Sequence, residues 1–149
     1  EKFKFQLMIN FFKNNKKSDI NASESYSKIA ALLIHAAKID QFYEEKEIEI
    51  IKKTLIELGA NNSNIDKIIS DATIAEENSN QILDFTREIK SIDETDKIKI
   101  IESLWKIIYS DGNTDMYEAN LMRRLAGLLY IDSKTMGRLK EKVKSELNK

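Results

Sequence analysis

The chain of 149 residues is long enough for one domain with a sizeable core, and 42% hydrophobic with 33% charged residues is typical of a globular protein. Its formal net charge of −1 gives no bulk attraction to nucleic acid or to an anionic membrane. The absence of cysteine excludes disulfides and thiolate-bound metals, and a single histidine leaves little for an imidazole cluster. No apolar run approaches the roughly 20 residues of a membrane-spanning helix.

The first predicted element is an amphipathic N-terminal helix with a linker, over residues 1–21. Its apolar side chains are too numerous for a solvated tail, and lysines flank them. We expect this helix to pack on the remaining chain, residues 22–149, which we interpret as one helical domain. The alternative is a helix that docks on a protein partner or on a membrane surface. The apolar residues are Phe3, Phe5, Leu7, Met8, Ile9, Phe11 and Phe12.

Helical periodicity dominates the rest of the chain. Apolar residues recur at three- and four-residue spacing in four stripes, within residues 29–39, 48–58, 98–108 and 121–129. The chain has no proline and only four glycines, which is too little turn punctuation for a sheet built on hairpins. The pattern predicts an all-α bundle of about six or seven helices.

Helix ends follow from polar side chains and one glycine between these stripes. Side-chain oxygens favour helix starts, and glycine favours a helix end. We expect Gly59 to close the second stripe. The expected starts are at Ser23, Ser63, Ser79 and Thr95, and at Ser133 or Thr135.

An internal repeat appears when the chain is shifted by 71 residues. The segment LIHAAKIDQFYEEKEIEIIKKTLIEL then lies over LWKIIYSDGNTDMYEANLMRRLAGLL, apolar on apolar and acid on acid. This agreement predicts two pseudo-symmetric helix–loop–helix units, each turning at an acidic corner. The aligned acids are Asp40 with Asp111, Glu44 with Asp115, and Glu47 with Glu118.

The acidic corners are candidate cation sites. Carboxylates are ligands for a hard divalent cation, Ca²⁺, Mg²⁺ or Mn²⁺, and the candidate ligands are Asp40, Glu47, Asp111, Asp115 and Glu118. Asp111 ends a helix, where the macrodipole disfavours a negative charge, so its presence there indicates a role. An EF-hand is excluded, because Met116 and Met122 stand where that loop needs glycine and glutamate.

The same acids have a purely structural explanation. Asp115 and Glu118 have the spacing of a capping box, in which the two side chains bond the backbone at a helix start. Glu44 is a poor N-cap residue, so Glu47 lacks the usual box partner. The alternative to cation binding is therefore a protein-interaction or membrane-associated scaffold module whose acids only cap helices.

Catalysis and nucleic-acid binding find little support. The chain has no glycine-rich phosphate loop and no identifiable Ser–His–Asp arrangement, and its basic residues are interspersed with acids. A paired-carboxylate hydrolase would need a cleft that nothing in the sequence indicates. His35 aligns with Lys106, which predicts a boundary position, whereas Trp105 aligns with Ile34 and is expected in the core.

The repeated motif resembles that of the tellurite-resistance TerB family, whose domain also occurs beside DnaJ modules. The pattern A-x-x-x-D-G-x-x-[S/T/D]-x-x-E appears as AAKIDQFYEEKE and as IIYSDGNTDMYE, within a resemblance over residues 26–147. The first copy departs from it, since Gln41 replaces the usual glycine.

The resemblance implies an all-helical, non-enzymatic domain that serves tellurite and chemical-stress responses, often as a partner module. The acids suggested to bind cations would be Asp40, Glu47, Asp111 and Glu118. We expect a bacterial protein that is cytoplasmic, with the inner face of the membrane as its place of action if the N-terminal helix binds lipid. Its protein partner is not identifiable from the sequence.

Overall fold

The computed structural model describes residues 24–39, 44–79, 81–110 and 116–147, and at residues 88 and 116–118 it describes the backbone alone. The structure has 7 helices and no strand in these ranges, as predicted. Among the helices in these ranges, none combines the length and the hydropathy that a membrane span requires. The helix predicted in residues 1–21 lies outside the described residues. The helices are α1 (24–39), α2 (Glu45–Glu57), α3 (Ile65–Glu77), α4 (Leu83–Ile89), α5 (Glu94–Tyr109), α6 (Met116–Leu128) and α7 (Ser133–Leu147).

Helices α1 and α5 form the centre of the bundle. Every residue from 29 to 34 is buried, so α1 is covered on all sides over that stretch. Helix α5 packs against both α7 and α2. The α2–α5 pair is antiparallel: Lys99 Nζ donates to the Glu57 carbonyl at 3.3 Å at one end, and Thr54 Oγ1 lies 2.5 Å from Ser103 Oγ in the middle. The residues of α5 that face the core are Ile100, Ile101, Leu104, Trp105, Ile107 and Ile108.

Helices α2 and α6 each end in a turn of the same type. The Ala60 N–H donates to the Leu55 carbonyl at 2.9 Å, and Gly59 between them has a φ of 112°. This 6→1 bond with a positive φ beside it defines a Schellman turn, which satisfies carbonyls that a helix end leaves unpaired. The residues 71 positions later repeat the bond at 2.9 Å and the positive φ, at 57°: Ile131, Ala126 and Tyr130.

The repeat continues through a third helix. Asn61 Oδ1 accepts the Ser63 N–H at 3.2 Å before α3, and Asp132, 71 positions later, accepts the Thr135 N–H at 2.6 Å before α7. Both helices bury the same face in register: Ile65, Ile68 and Ala72 in α3, and Met136, Leu139 and Val143 in α7. Each unit therefore has three helices, α1–α3 and α5–α7, rather than the two predicted, and α4 connects the units.

Two of the expected helix starts are wrong by one or two residues, while α7 begins at Ser133, as expected. Asp93 takes the N-cap position of α5 instead of Thr95. Asn61 caps the 3-10 turn Asn62–Asn64 that leads into α3, and Ser63 lies inside that turn. The expected end at Gly59 is confirmed by its positive φ beyond α2. Short polar side chains cluster at these boundaries, so the pattern locates each boundary without selecting the residue that bonds.

Candidate cation site at the junction of the two units

Glu47 is the candidate ligand whose surroundings the structure describes. It is the third residue of α2, and only 4% of its surface is exposed. Its Oε2 accepts the N–H of Glu44 at 3.1 Å, a bond to the residue at the N-cap position. The expectation that Glu47 lacks a capping partner is therefore wrong, because a glutamate at the N-cap still offers its backbone amide to the third helical residue.

The other carboxylate oxygen of Glu47 reaches the second unit. Ser110 Oγ lies 3.0 Å from Glu47 Oε1, and Ser110 is the C-cap of α5. Ser110 directly precedes Asp111 in the sequence, so Glu47 of the first unit contacts the residue before the acidic segment of the second. The sequence predicted an acidic corner in each unit, and the described contact joins the Glu47 corner to a residue of the other unit.

The Glu47 carboxylate keeps spare capacity to accept. Ser110 Oγ also lies 2.7 Å from the Ile107 carbonyl, and one hydroxyl proton must serve both acceptors. Among the residues that the structure describes, no lysine or arginine forms an ion pair with Glu47 within 4.0 Å. A buried carboxylate ordinarily needs such compensation, so this position favours an additional positive charge nearby.

A lysine supplies positive charge to the same helix end. Lys46 Nζ donates to the main-chain carbonyl of Ser110 at 2.5 Å. The last carbonyls of a helix lack internal partners and form the negative end of its dipole, so they attract cations. We refer to Lys46, Glu47 and Ser110 together as the junction.

The other predicted ligands are described only in part. Asp40, Asp111 and Asp115 lie outside the described residues. Glu118 is the third residue of α6, the place that Glu47 has in α2, and its side chain is likewise outside the description. Within the described part of the chain, no three acidic or histidine side chains are grouped to hold a metal ion.

Two aromatic side chains that carry possible chemistry have structural surroundings. His35 has 37% of its side chain exposed, and its Nδ1 lies 3.3 Å from Glu76 Oε1, while Lys38 bonds the other oxygen of that carboxylate at 2.6 Å. This is the boundary position that the alignment with Lys106 predicted. Trp105 is buried, as expected, with its ring centre 5.9 Å from that of Tyr109.

Sequence reasoning missed two of the three junction residues. Ser110 and Lys46 stand beside the acids Asp111 and Glu47, and that adjacency was the available signal. Nothing local indicates that they meet, because their contact spans 64 positions and depends on the antiparallel packing of α2 on α5. Ser110 contacts Lys46 and Glu47 only when α2 and α5 are packed together in the folded bundle.

Comparison with known proteins gives one match. The family model described as tellurite resistance protein TerB matches residues 27–141, well over half of the 149 residues. No curated protein matches, and no solved structure does. The matched range contains the junction and both acidic corners, so all of the candidate ligands lie within the part of the chain that defines the family.

Proposed function

Since the chain belongs to the TerB family, of tellurite-resistance-related domains, we propose that it is a non-enzymatic module that binds a divalent cation weakly at the junction. The bound cation would link the two units, and the linked form would be the one that a protein partner recognises in a stress response. The single observation that supports this is that the Glu47 carboxylate is buried beside Ser110, the residue before Asp111, and that the Ser110 hydroxyl is shared between this carboxylate and the Ile107 carbonyl.

The donors available at the junction define the cation. Glu47 offers a carboxylate and Ser110 a main-chain carbonyl, both of them hard oxygen ligands of the kind that Ca²⁺, Mg²⁺ and Mn²⁺ prefer. Asp111 follows in sequence and would add a second carboxylate. With so few protein ligands, water would complete the coordination, which is why we expect weak affinity.

The second candidate function is protein interaction without a cation. Its supporting observation is that both Glu47 oxygens already have hydrogen-bond donors, the Glu44 amide and the Ser110 hydroxyl. A carboxylate at this position stabilises a helix start without any metal. Under this alternative the junction fixes the angle between the units, and cations change nothing.

The substitution Glu47→Gln separates the two functions. Glutamine keeps an oxygen for the Glu44 amide and also suits the third position of a capping box, so the free energy of unfolding should change by less than about 1 kcal/mol. It removes the negative charge that a cation needs. The cation hypothesis predicts that titration calorimetry detects Ca²⁺ or Mn²⁺ binding to the native protein and not to this variant. Glu47→Ala is the matched control, since it removes both the charge and the capping bond and should destabilise the fold by about 0.5–2 kcal/mol.

Thermal stability gives an independent measurement. A cation that binds only the folded chain at ten times its dissociation constant stabilises it by about 1.4 kcal/mol. The native protein should therefore melt at a higher temperature in Ca²⁺ or Mn²⁺, and Glu47→Gln should not. Absence of heat and of any melting shift at roughly millimolar cation would reject the cation site and leave the interaction module.

Membrane contact remains a separate part of the proposal. The apolar and lysine-rich sequence of residues 1–21 suits an anionic lipid surface. Sedimentation of the full chain with vesicles, compared with a chain that begins at residue 22, tests it. Equal sedimentation of the two chains would assign any lipid binding to the helical domain and reject a role for residues 1–21.

A further inference from the structure

A groove between α2 and the start of α3 exposes apolar surface. It has a volume of about 740 Å³, and Ile50, Ile56 and Ile65 line it together with the acids Glu49 and Glu57. Isoleucine is among the residue types most often buried, yet Ile56 keeps 44% of its surface exposed. Pockets of roughly 300–1,000 Å³ hold drug-sized ligands, so this α2–α3 groove has room for several apolar side chains.

The second unit differs from the first at this place. The residue 71 positions after Ile56 is Gly127, and among the described residues a Cβ added there would meet nothing beyond its own helix within 4 Å. Leu121, which aligns with Ile50, is buried, whereas Ile50 is half-buried. The helix and turn that both units share therefore do not require an exposed isoleucine. This apolar surface is particular to the first unit, which residues 1–23 lead into.

The chain enters the first unit beside this groove. Tyr26, in the first turn of α1, donates from its phenol to the Leu58 carbonyl at 3.2 Å, and Leu58 follows the groove residue Glu57 at the end of α2. Residues 13–23 can span up to about 36 Å when fully extended. The 13 residues of α2 are only about 20 Å long. Residues 3–12 can therefore reach every part of the groove from the start of α1.

We propose that residues 3–12 of this chain dock in the α2–α3 groove and cover its isoleucines. Seven of these ten residues are apolar, and such side chains gain free energy when they leave water for an apolar surface. Lysines flank them in the sequence, and the exposed acids Glu49 and Glu57 offer the opposite charge along the groove. The inference is independent of the cation proposed at the junction. Lipid binding by residues 1–21 would require this segment to leave the groove, because the same side chains cannot contact both.

A single nitroxide label within residues 3–12 tests the proposal in the full chain. The protein has no cysteine, so Asn10→Cys provides one attachment point without removing an apolar side chain. The label broadens the NMR signals of nearby methyl groups, and we expect the signals of Ile50, Ile56 and Ile65 to lose intensity. The signals of Leu121, in the second unit, should keep theirs. Chemical reduction of the nitroxide should restore every signal that was lost.

Two glutamate substitutions in the labelled chain locate the contact. Ile56→Glu places a charge in the groove and should restore the Ile65 signals, because a docked apolar segment would bury that charge without a partner. Leu83→Glu is the matched control, since Leu83 is 39% exposed on α4 and lies outside the groove. It should leave the loss at Ile65 unchanged. The signals of fully buried methyl groups report whether each variant is folded, and the labelled chain without either substitution decides the proposal if one is not.

Undiminished signals of Ile56 and Ile65 in the labelled chain, or an equal loss at Leu121, would overturn the docking. A loss at Ile65 that survives Ile56→Glu in a folded variant would do the same. Mixing nitroxide-bearing chains with methyl-labelled chains that lack the nitroxide tests the other occupant. A loss of signal in the latter would mean that the segment of a second copy fills the groove, and it would overturn docking within one chain. None of these outcomes involves a metal ion, so the proposed cation function is tested separately.

Discussion

Lys97 Nζ donates to the main-chain carbonyl of Leu129 at 3.1 Å, and it does so from a buried position with 6% of the residue exposed. The residues 71 positions earlier make the equivalent bond, since the phenol of Tyr26 donates to the Leu58 carbonyl at 3.2 Å. Each carbonyl ends the second helix of its unit, where no helical amide is available. The two units therefore satisfy the same unpaired group with chemically unrelated donors.

Replacing Lys97 with methionine should destabilise the fold by about 1–3 kcal/mol, because it leaves the Leu129 carbonyl buried without its donor. The apolar part of the side chain is kept, so the loss reports the hydrogen bond rather than packing. Denaturation in urea measures it as a lower midpoint with an unchanged slope. A midpoint equal to that of the native chain would show that water replaces the ammonium at no cost.

Tyr26→Phe is the matched change in the first unit and should cost about 0.5–1.5 kcal/mol, since the lost donor is neutral and half-buried. Burial, and then the nearby charge of Asp96, raise the pKa of Tyr26 above its ordinary value of 10.0. The phenol therefore keeps its proton at neutral pH, and this cost should be the same across that range. A cost that varies between pH 6 and pH 8 would contradict it.

The helical class and the duplication could be predicted from the sequence because both depend on where apolar side chains recur. The length of the repeated unit could not. Its third helix is preserved as a buried spacing, Ile65 with Ile68 in one unit and Met136 with Leu139 in the other. The aligned polar pair before it, Asn61 and Asp132, is a single position and differs in residue type. Tyr26 and Lys97 align as well, yet their residue types give no reason to expect one role.

Only part of the candidate site could be predicted from the sequence, for a related reason. Aligned acids select Glu47, since a charge repeated at one spacing is a sequence feature. Its partner Ser110 is 63 positions away and contacts it through the packing of α2 on α5, which no local pattern encodes. The role of Glu44 was misjudged because its side chain is a poor cap, whereas its backbone amide makes the bond.

Thr54 and Ser103 form a buried hydroxyl pair between α2 and α5, with their oxygens 2.5 Å apart. Thr54 Oγ1 also donates to the Ile50 carbonyl at 2.8 Å, so Ser103 must supply the proton of the shared contact. Thr54→Val should destabilise the fold by about 1–3 kcal/mol, because it leaves the Ser103 hydroxyl without this acceptor. Thermal or urea unfolding measures the loss.

A double-mutant cycle checks the assignment. Ser103→Ala in the Thr54→Val background should cost less than in the native chain, with a coupling energy of about 0.5–1.5 kcal/mol. In the other unit, the positions aligned with Thr54 and Ser103 are Leu125 and Leu32, and both leucines are fully buried. Apolar side chains therefore suit this place in the fold when neither hydroxyl is present. Additive costs would mean that the two hydroxyls do not hydrogen-bond to each other and that each has another partner.

Asp132 should give the fold an acid-sensitive contribution. The N–H of Thr135, followed by its side-chain hydroxyl, holds the pKa of Asp132 below its ordinary value of 3.8. Since the pKa is lower in the folded chain than in the unfolded one, this stabilisation is present above about pH 4 and is lost as the pH falls through the folded value. Asp132→Asn should therefore flatten the fall in unfolding free energy between about pH 5 and pH 2.

Asn61 provides the reciprocal control, because it makes the corresponding side-chain bond in the first unit without a titrating group. Asn61→Asp should steepen the same acid limb, since the new carboxylate is stabilised at a helix start when ionised. Denaturation at a series of pH values measures both changes. Parallel acid limbs for the native chain and for Asp132→Asn would place the acid sensitivity in other carboxylates.

The two Schellman turns should respond in opposite directions to exchange of their central residue. Gly59 has a φ of 112°, and a Cβ there would lie 3.0 Å from the Tyr26 hydroxyl, so Gly59→Ala should destabilise the fold by about 1–2 kcal/mol through backbone strain and a displaced hydrogen bond. Tyr130 holds a φ of 57° with 73% of the residue exposed. Tyr130→Gly should stabilise the fold by about 0.5 kcal/mol, because relief of the left-handed strain exceeds the added entropy of the unfolded chain. Urea denaturation of both variants measures the opposite signs. Loss of stability in Tyr130→Gly would mean that the 5.9 Å contact of Lys90 with the Tyr130 ring outweighs that relief.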